Sequence, residues 1–296
     1  MNKHLTQSYL SRLLVYFSIL LLLFVTLFPF IWVVRTSLTP HNLIFSEAMR
    51  MIPSKLTMKN YARVLGMLTP AEAIALGGTG QSVNFLVNLR NSLIVATVTT
   101  FFQVLFCSMA GYGFARLEFP FRNKIFAIIL ASMMVPGVVM MIPNFVFIRQ
   151  MKLLNTYAGI VAPAVFMTPY GVFFMRQFFM SINKEIEEAA YLDGAGQYRT
   201  FFMIILPLMQ TALVTLAVTT FITSWNDYMW PLIVGKKEEL RTLTVALGVF
   251  RSQTPQGQPD WSGMMAGTML ASIPAMIIYC FVGKKIVNSI GFNGFR

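Results

Sequence analysis

Charge is scarce in this 296-residue sequence: Asp, Glu, Lys and Arg make up 11%, against 56% hydrophobic residues. A soluble domain carries roughly 25% charged residues, so an ordinary cytosolic enzyme is excluded at the outset. Histidine and cysteine are scarcer still, with two of each. Cys107 and Cys280 sit in strongly apolar stretches and read as inert membrane-facing or core thiols, not as a disulfide. His4 and His41 lie far apart, so no metal site is expected. Neither a Ser/His pair nor a His/Asp/Glu cluster is available for hydrolysis, and no catalytic residue is assigned. A Gly-x-x-x-x-Gly-Lys-Ser/Thr phosphate loop is missing too, so the chain is not expected to bind or hydrolyse ATP itself. No fixed-period repeat or low-complexity stretch is visible.

What is present is long apolar sequence. Windows free of Asp, Glu, Lys, Arg and His run 13–34, 91–115, 125–148, 153–175, 200–226 and 261–283, with 22, 25, 24, 23, 27 and 23 residues. Crossing about 30 Å of hydrocarbon as a helix takes roughly 20 residues. A helix also satisfies its own backbone hydrogen bonds in lipid. The expectation is an all-α integral membrane protein with six transmembrane helices in one domain, 1–296. The first window follows Lys3 and Arg12 but is too long for a signal peptide and lacks a small-x-small cleavage site before Arg35, so it reads as an uncleaved span. Pro136 and Pro143 fit either helix ends or a bent segment lining a pathway. No window holds a carboxylate or histidine of the kind ion-coupled carriers place on their pathway, which counts against secondary transport.

The excess of basic residues gives a net charge of +12. In so apolar a chain, anionic lipid head groups explain it better than nucleic acid. It does not orient the protein. With both termini in the cytoplasm, eleven Lys/Arg fall inside and twelve outside, so the positive-inside rule is silent. The longest connection, 35–90, holds Pro40, Pro53, Pro70 and a Gly77-Gly78-Thr79-Gly80 turn. Within it, 57–65 is expected to form a short surface helix with Thr57 as its cap. Connections this long between packed helices are usually functional or partner-facing.

The most informative stretch is 181–196. Asn183 is placed to cap a helix whose first turn carries Glu185 and Glu187, complementing the positive end of the dipole. Gly194 suits the left-handed position that ends a helix. A second helix is expected from near Gln197 into the fifth span. The pattern Glu188-Ala189-Ala190, then Asp193-Gly194, then Ile204-x-Leu206-Pro207 resembles the EAA loop of permease subunits in bacterial ATP-binding cassette importers. Further segments fit the carbohydrate-uptake branch, similar to the second permease subunit of maltose and glycerol-phosphate importers. They are Asn91-Ser92-Leu93 opening span two, Ala110-Gly111-Tyr112-Gly113 near its end, and Trp225-Asn226-Asp227-Tyr228-Met229-Trp230-Pro231 after span five. The chain departs from the family in its last residues, 289–296, which lack the usual Gly-Ala-Val-Lys-Gly-like run.

The resemblance implies a type I importer permease fold, with loop 35–90 external and loop 177–199 a cytoplasmic coupling loop. It places the chain in the bacterial inner membrane with both termini cytoplasmic. Implied partners are a homologous permease subunit, two ATPase subunits that bind ATP and magnesium, an external substrate-binding protein, and a sugar substrate. The coupling residues would be Glu188, Ala189, Ala190, Asp193, Gly194, Leu206 and Pro207. Trp225, Asn226, Asp227, Tyr228 and Trp230 fit either an interfacial aromatic belt or a sugar-contacting surface. Asn91, with Asn88, Gln103, Ser108 and Thr168, fits a pathway or helix-to-helix hydrogen bonds. A non-sugar importer permease, and more remotely an ion-coupled carrier, remain as alternatives.

Overall fold

A computed structural model of the chain describes residues 2–78, 80, 83–251 and 257–291, with side chains between 12 and 283. Thr79 of the glycine turn and the tail residues 292–296 lie outside the described residues. The elements are all helical. Three windows form unbroken helices long and apolar enough to cross a membrane: Arg12–Ser37, Phe85–Arg116 and Trp261–Gly283. The other three form helix pairs that pass only together. Arg122–Ser132 and Gly137–Gln150 are bent by 100°, Tyr157–Val165 and Pro169–Met180 by 47°, and Gln197–Leu208 and Gln210–Trp225 by 79°.

Each bend has a local cause. Pro136, extended at φ −60°, ψ 130°, has no N–H for the preceding helix and caps the next one. At the second, Phe166 is extended and Thr168 Oγ1 accepts from Gly171 N–H at 3.3 Å, starting a new helix with Pro169 in its first turn. At the third, residues Thr200–Ile205 are π-helical, Pro207 follows, and Met209 at φ −90°, ψ 18° ends the run. Pro136 thus marks a bend, whereas Pro143 lies inside Gly137–Gln150.

The chain divides into two compact units. The first is Met1–Phe85 with Leu247–Ser272. Its long helix carries the aromatic ladder Phe24, Phe28 and Trp32, closed by Arg35 5.1 Å over the Trp32 ring. Asn60 Nδ2 donates to the carbonyls of Ser37 and Thr39 at 2.8 and 2.9 Å, satisfying the end of that helix. The short helix expected at 57–65 runs Lys59–Val64 with Met58, not Thr57, at its N-cap; Thr57 Oγ1 instead accepts from Lys59 N–H at 3.2 Å one residue ahead of it. It is not a surface helix: Asn60, Arg63 and Val64 are buried. Arg63 is held by Asp260, Nη2 to Oδ1 2.8 Å, and by Ser262 Oγ at 3.1 Å. Asp260 Oδ1 also accepts from Gly263 N–H at 2.8 Å, capping the helix Trp261–Gly291.

The second unit is Leu86–Ala246 with Ile273–Arg296. Its main core gathers Cys107, Tyr112, Phe126, Met175, Phe179, Phe201 and Leu216, drawn from five helices. Phe85–Arg116 meets Pro169–Met180 closely because the contact is built from small residues. A Cβ on Gly111 would come within 2.7 Å of Met175 Cβ and 2.9 Å of the Arg176 backbone nitrogen. Gly113, two residues on, faces open space. Gly111→Leu is therefore expected to cost about 1–3 kcal/mol by forcing the helices apart, whereas Gly113→Ala is neutral. Thermal unfolding of the detergent-solubilised protein followed by circular dichroism separates the two.

Candidate functional site

The loop 177–199 forms as a helix, a glycine turn and a second helix. Asn183 Oδ1 accepts from Glu185 N–H at 3.2 Å and its amide donates to Glu185 Oε2 at 2.8 Å, but Lys184, not Asn183, takes the N-cap of the helix Glu185–Leu192. Glu185, Glu187 and Glu188 occupy its first turn, where the helix dipole favours negative charge. The helix closes at Gly194, whose φ of +80° is open to glycine and strained for other residues. Gly194 N–H reaches Tyr191 O at 3.0 Å and Ala195 N–H reaches Ala190 O at 2.9 Å, satisfying the last carbonyls.

The two faces of this helix differ. Ala190 and Glu187 turn inward. Glu187 Oε1 lies 3.4 Å from Arg116 Nε at the foot of the helix Phe85–Arg116. Burial pushes the Glu187 carboxyl above the usual carboxylate range, against the pull of Arg116. Glu188, Ala189, Asp193 and Gly194 face outward with Tyr191 and Leu192, the latter 89% exposed. Leu206, half-buried, and Pro207, exposed, sit at the elbow where the chain turns 79° into Gln210–Trp225. A braced helix with an uncovered outer face can receive a push and pass it to the spans behind.

The same unit encloses a cleft of about 770 Å³. Threonine and serine hydroxyls line it at Thr99, Thr168, Thr219, Thr220, Thr223 and Ser224, with the amides of Gln103 and Asn144. Among the described residues of the lining Asp227 alone carries a charge, and burial pushes that carboxyl up. Trp230 also lines it, with its indole N–H donated to Ile160 O at 3.0 Å. The structure therefore brings Asp227 and Trp230 to one cavity, and with them Gln103 and Thr168. Trp225 is not in the lining: it is buried and stacked on Phe221 at 5.8 Å. Asn226 is exposed at the helix end, and Tyr228 is half-buried outside the lining.

Asn91 does not reach the cavity. Its amide donates to Glu239 O at 2.7 Å and Arg241 O at 3.0 Å and accepts from Tyr157 OH at 2.6 Å, so both N–H groups and the carbonyl oxygen serve as a fastener. Asn88 is buried, and Ser108 Oγ returns to Val104 O at 2.6 Å within its own helix. Sequence reasoning overlooked the hydroxyl stripe. Its signal is the four-residue repeat Thr211, Thr215, Thr219, Thr223, which puts one residue type on one helix face. Each of the last three hydroxyls donates to the carbonyl four residues back, and of the four threonines Thr219 and Thr223 line the cavity.

Residues 103–290 match the family described as binding-protein-dependent transport system inner membrane component. The trehalose/maltose transport system permease protein MalG of Thermococcus litoralis is 30% identical over 285 residues, covering 96% of each chain. The arabinooligosaccharides transport system permease protein AraQ of Halalkalibacterium halodurans is 28% identical over 275 residues, 92% of each. Among solved structures, one from a bacterial ABC transporter that imports the acidic polysaccharide alginate superposes with a TM-score of 0.77 at 21% identity, covering 94% of this chain and 97% of that one. Fold and sequence agree: this chain is a multi-pass membrane protein of the binding-protein-dependent transport system inner membrane component family.

Proposed function

We propose that this chain is a permease subunit of an ATP-driven importer and carries an uncharged sugar or oligosaccharide into the cytoplasm by alternating access. It pairs with a homologous permease and rests on two ATPase subunits, which hold ATP and magnesium; an external binding protein delivers the solute. The chain itself is non-catalytic, and its termini are cytoplasmic. The observation that carries the reading is the helix Glu185–Leu192, braced inward through Glu187 and bare outward at Glu188, Ala189 and Leu192. Closure of the ATPase pair displaces that helix, and the elbow at Pro207–Met209 passes the displacement into Gln210–Trp225, whose threonine face borders the cavity.

The cavity supports the solute class. Hydroxyls and amides pair with sugar hydroxyls, the Trp230 ring offers a stacking edge, and the Asp227 carboxylate accepts hydrogen bonds from hydroxyls. Among the described residues the lining holds no Lys, Arg or His and one carboxylate, so a sugar phosphate or uronate finds repulsion and no counter-charge there. This favours neutral sugars over glycerol phosphate. The relatives named for arabinooligosaccharide and trehalose/maltose transport support a saccharide as the solute.

Reconstitution of the full complex in proteoliposomes, with the ATPase and binding protein encoded beside it, tests this. Neutral saccharides are expected to stimulate ATP hydrolysis and to accumulate inside. Phosphorylated and acidic saccharides are not. Uptake driven by an ion gradient without ATP, or a response to peptides with none to sugars, overturns the reading.

A further inference from the structure

Glu187 is a buried carboxylate that the EAA-type pattern does not require, and its surroundings are unusual for a loop. Its side chain is 10% exposed and the facing Arg116 side chain 5%. Arg116 Nη2 also donates to Ile182 O, at the point where the chain enters the loop. Over the pair lies Tyr112, whose hydroxyl faces the Glu187 carboxylate and whose ring packs on Phe179 and Phe201 at 5.6 and 4.9 Å between centroids. One small cluster therefore joins the foot of Phe85–Arg116, the end of Pro169–Met180, the coupling helix and the start of the elbow at Thr200–Ile205.

The cluster is charged, buried and not tightly closed. Tyr112 Oη, Arg116 Nε and Glu187 Oε1 all lie out of solvent, and among the described residues none of the three reaches ordinary hydrogen-bond geometry, so the Glu187–Arg116 contact is an ion pair at 3.4 Å with the Tyr112 hydroxyl set loosely against it. A static fastener of this kind closes its hydrogen bonds, because buried unpaired polar atoms are costly. Asn91 in the same unit does so with both of its N–H groups and its carbonyl oxygen. An ion pair left slightly long at a junction of four segments can tighten or lengthen as one of them moves.

Given the coupling role proposed above, on which this rests, we infer that Glu187 and Arg116 form a latch that makes the coupling helix and the foot of Phe85–Arg116 move as one body. Glu187 is a positioning residue. Glu188, on the outer face, meets the ATPase, while Glu187, one residue before it and facing inward, carries the motion past the fifth span to the second. That helix supplies Thr99 and Gln103 to the cavity, so both of its walls shift together.

The test uses the reconstituted complex with wild-type chain, Glu187→Gln, Arg116→Gln, Arg116→Lys and the charge swap Glu187→Arg with Arg116→Glu. Assembly with the ATPase and basal ATP hydrolysis are expected to persist in all. Sugar moved per ATP should fall roughly tenfold in the two Gln variants and recover substantially in Arg116→Lys and in the swap. A ratio unchanged in Glu187→Gln overturns the latch. So does failure of assembly that neither Arg116→Lys nor the swap rescues, because that marks a purely structural contact. Spin labels at exposed Glu118 and Leu192, in a Cys280→Ser background, give a second reading that does not depend on transport. Their distance distribution should be narrow in the wild-type chain and broaden in Glu187→Gln. An identical distribution overturns the latch even where the wild-type complex moves no sugar, an outcome that separately overturns the proposed function.

Discussion

Asp260→Ala is expected to destabilise the unit that contains it by about 3–5 kcal/mol, the usual cost of removing one partner of a buried ion pair. Asp260 is 0% and Arg63 3% exposed at the side chain, with Arg63 Nη2 2.8 Å from Asp260 Oδ1. Among the described residues Arg63 Nε and Nη1 have no hydrogen-bond partner, so deleting the carboxylate strands a guanidinium in the interior. The same substitution removes the cap that Asp260 Oδ1 provides to Gly263 N–H. Asp260→Asn keeps that cap and loses the charge, so it should be the milder variant. Arg63→Leu combined with Asp260→Ala should recover part of the loss, because two apolar groups leave nothing charged behind. Thermal unfolding and protease resistance of the solubilised chain read all three. Equal stability of Asp260→Ala and wild type would show that the pair contributes nothing.

The cluster also sets a pH dependence. Burial holds the His41 imidazole below its ordinary value; Asp260, 3.8 Å from Nδ1, raises it in part, and Arg63 lowers it. A base whose folded value is lowered favours the neutral form. Its contribution to stability is therefore complete above the ordinary histidine range and lost as pH falls below it. Asp260→Ala removes the raising partner and should steepen that loss.

How far the sequence reaches can be judged from particular residues. The six windows are legible because a charge in hydrocarbon is costly, and sweeping charge out leaves a mark that needs no structure to read. Their bends are not legible. Hydropathy carries no direction, and a proline such as Pro136 or Pro143 looks the same whether it ends a helix or sits within one. Gly194 is legible because few residues accept the backbone conformation that stops a helix there. Which of Glu187 and Glu188 turns inward is not, since that phase is decided by Arg116, brought in from a different helix.

Polar residues are where local reading fails most clearly. Asn60 and Arg63 make 57–65 look like a surface helix, yet both are buried because Ser37, Thr39 and Asp260 meet their donors. The Arg63 partner lies 197 residues away, beyond any local pattern. Asn91 shows the opposite face of the same difficulty. An amide in a span suggests a pathway, but three satisfied hydrogen bonds commit it to holding Tyr157 and the 239–241 segment. Asp227 lies just past the charge-free window 200–226, yet the turn after Trp225 carries it to the cavity.

Gly194→Pro is expected to abolish coupled transport while leaving the membrane assembly intact. At φ +80° the position lies far from the roughly −65° that a proline ring imposes. The substitution also deletes the N–H that reaches Tyr191 O. The conflict, roughly 3 kcal/mol or more, can be relieved only by re-aiming the segment after Leu192, which moves Glu188 and Leu192 relative to the elbow. A displacement of that energy corresponds to roughly a hundredfold loss in sugar moved per ATP. Gly194→Ala isolates the backbone contribution: an added Cβ meets no atom within 4 Å, so only the left-handed conformation opposes it. That cost is about 1–2 kcal/mol, and the loss should be correspondingly smaller. Gly194→Asn should be milder again, because asparagine tolerates this conformation. The order Gly, Asn, Ala, Pro in transport per ATP, with basal hydrolysis unchanged, is the signature of a turn that must hold its shape. A proline variant with wild-type coupling would instead mean that the loop re-forms on its partner whatever shape it starts from.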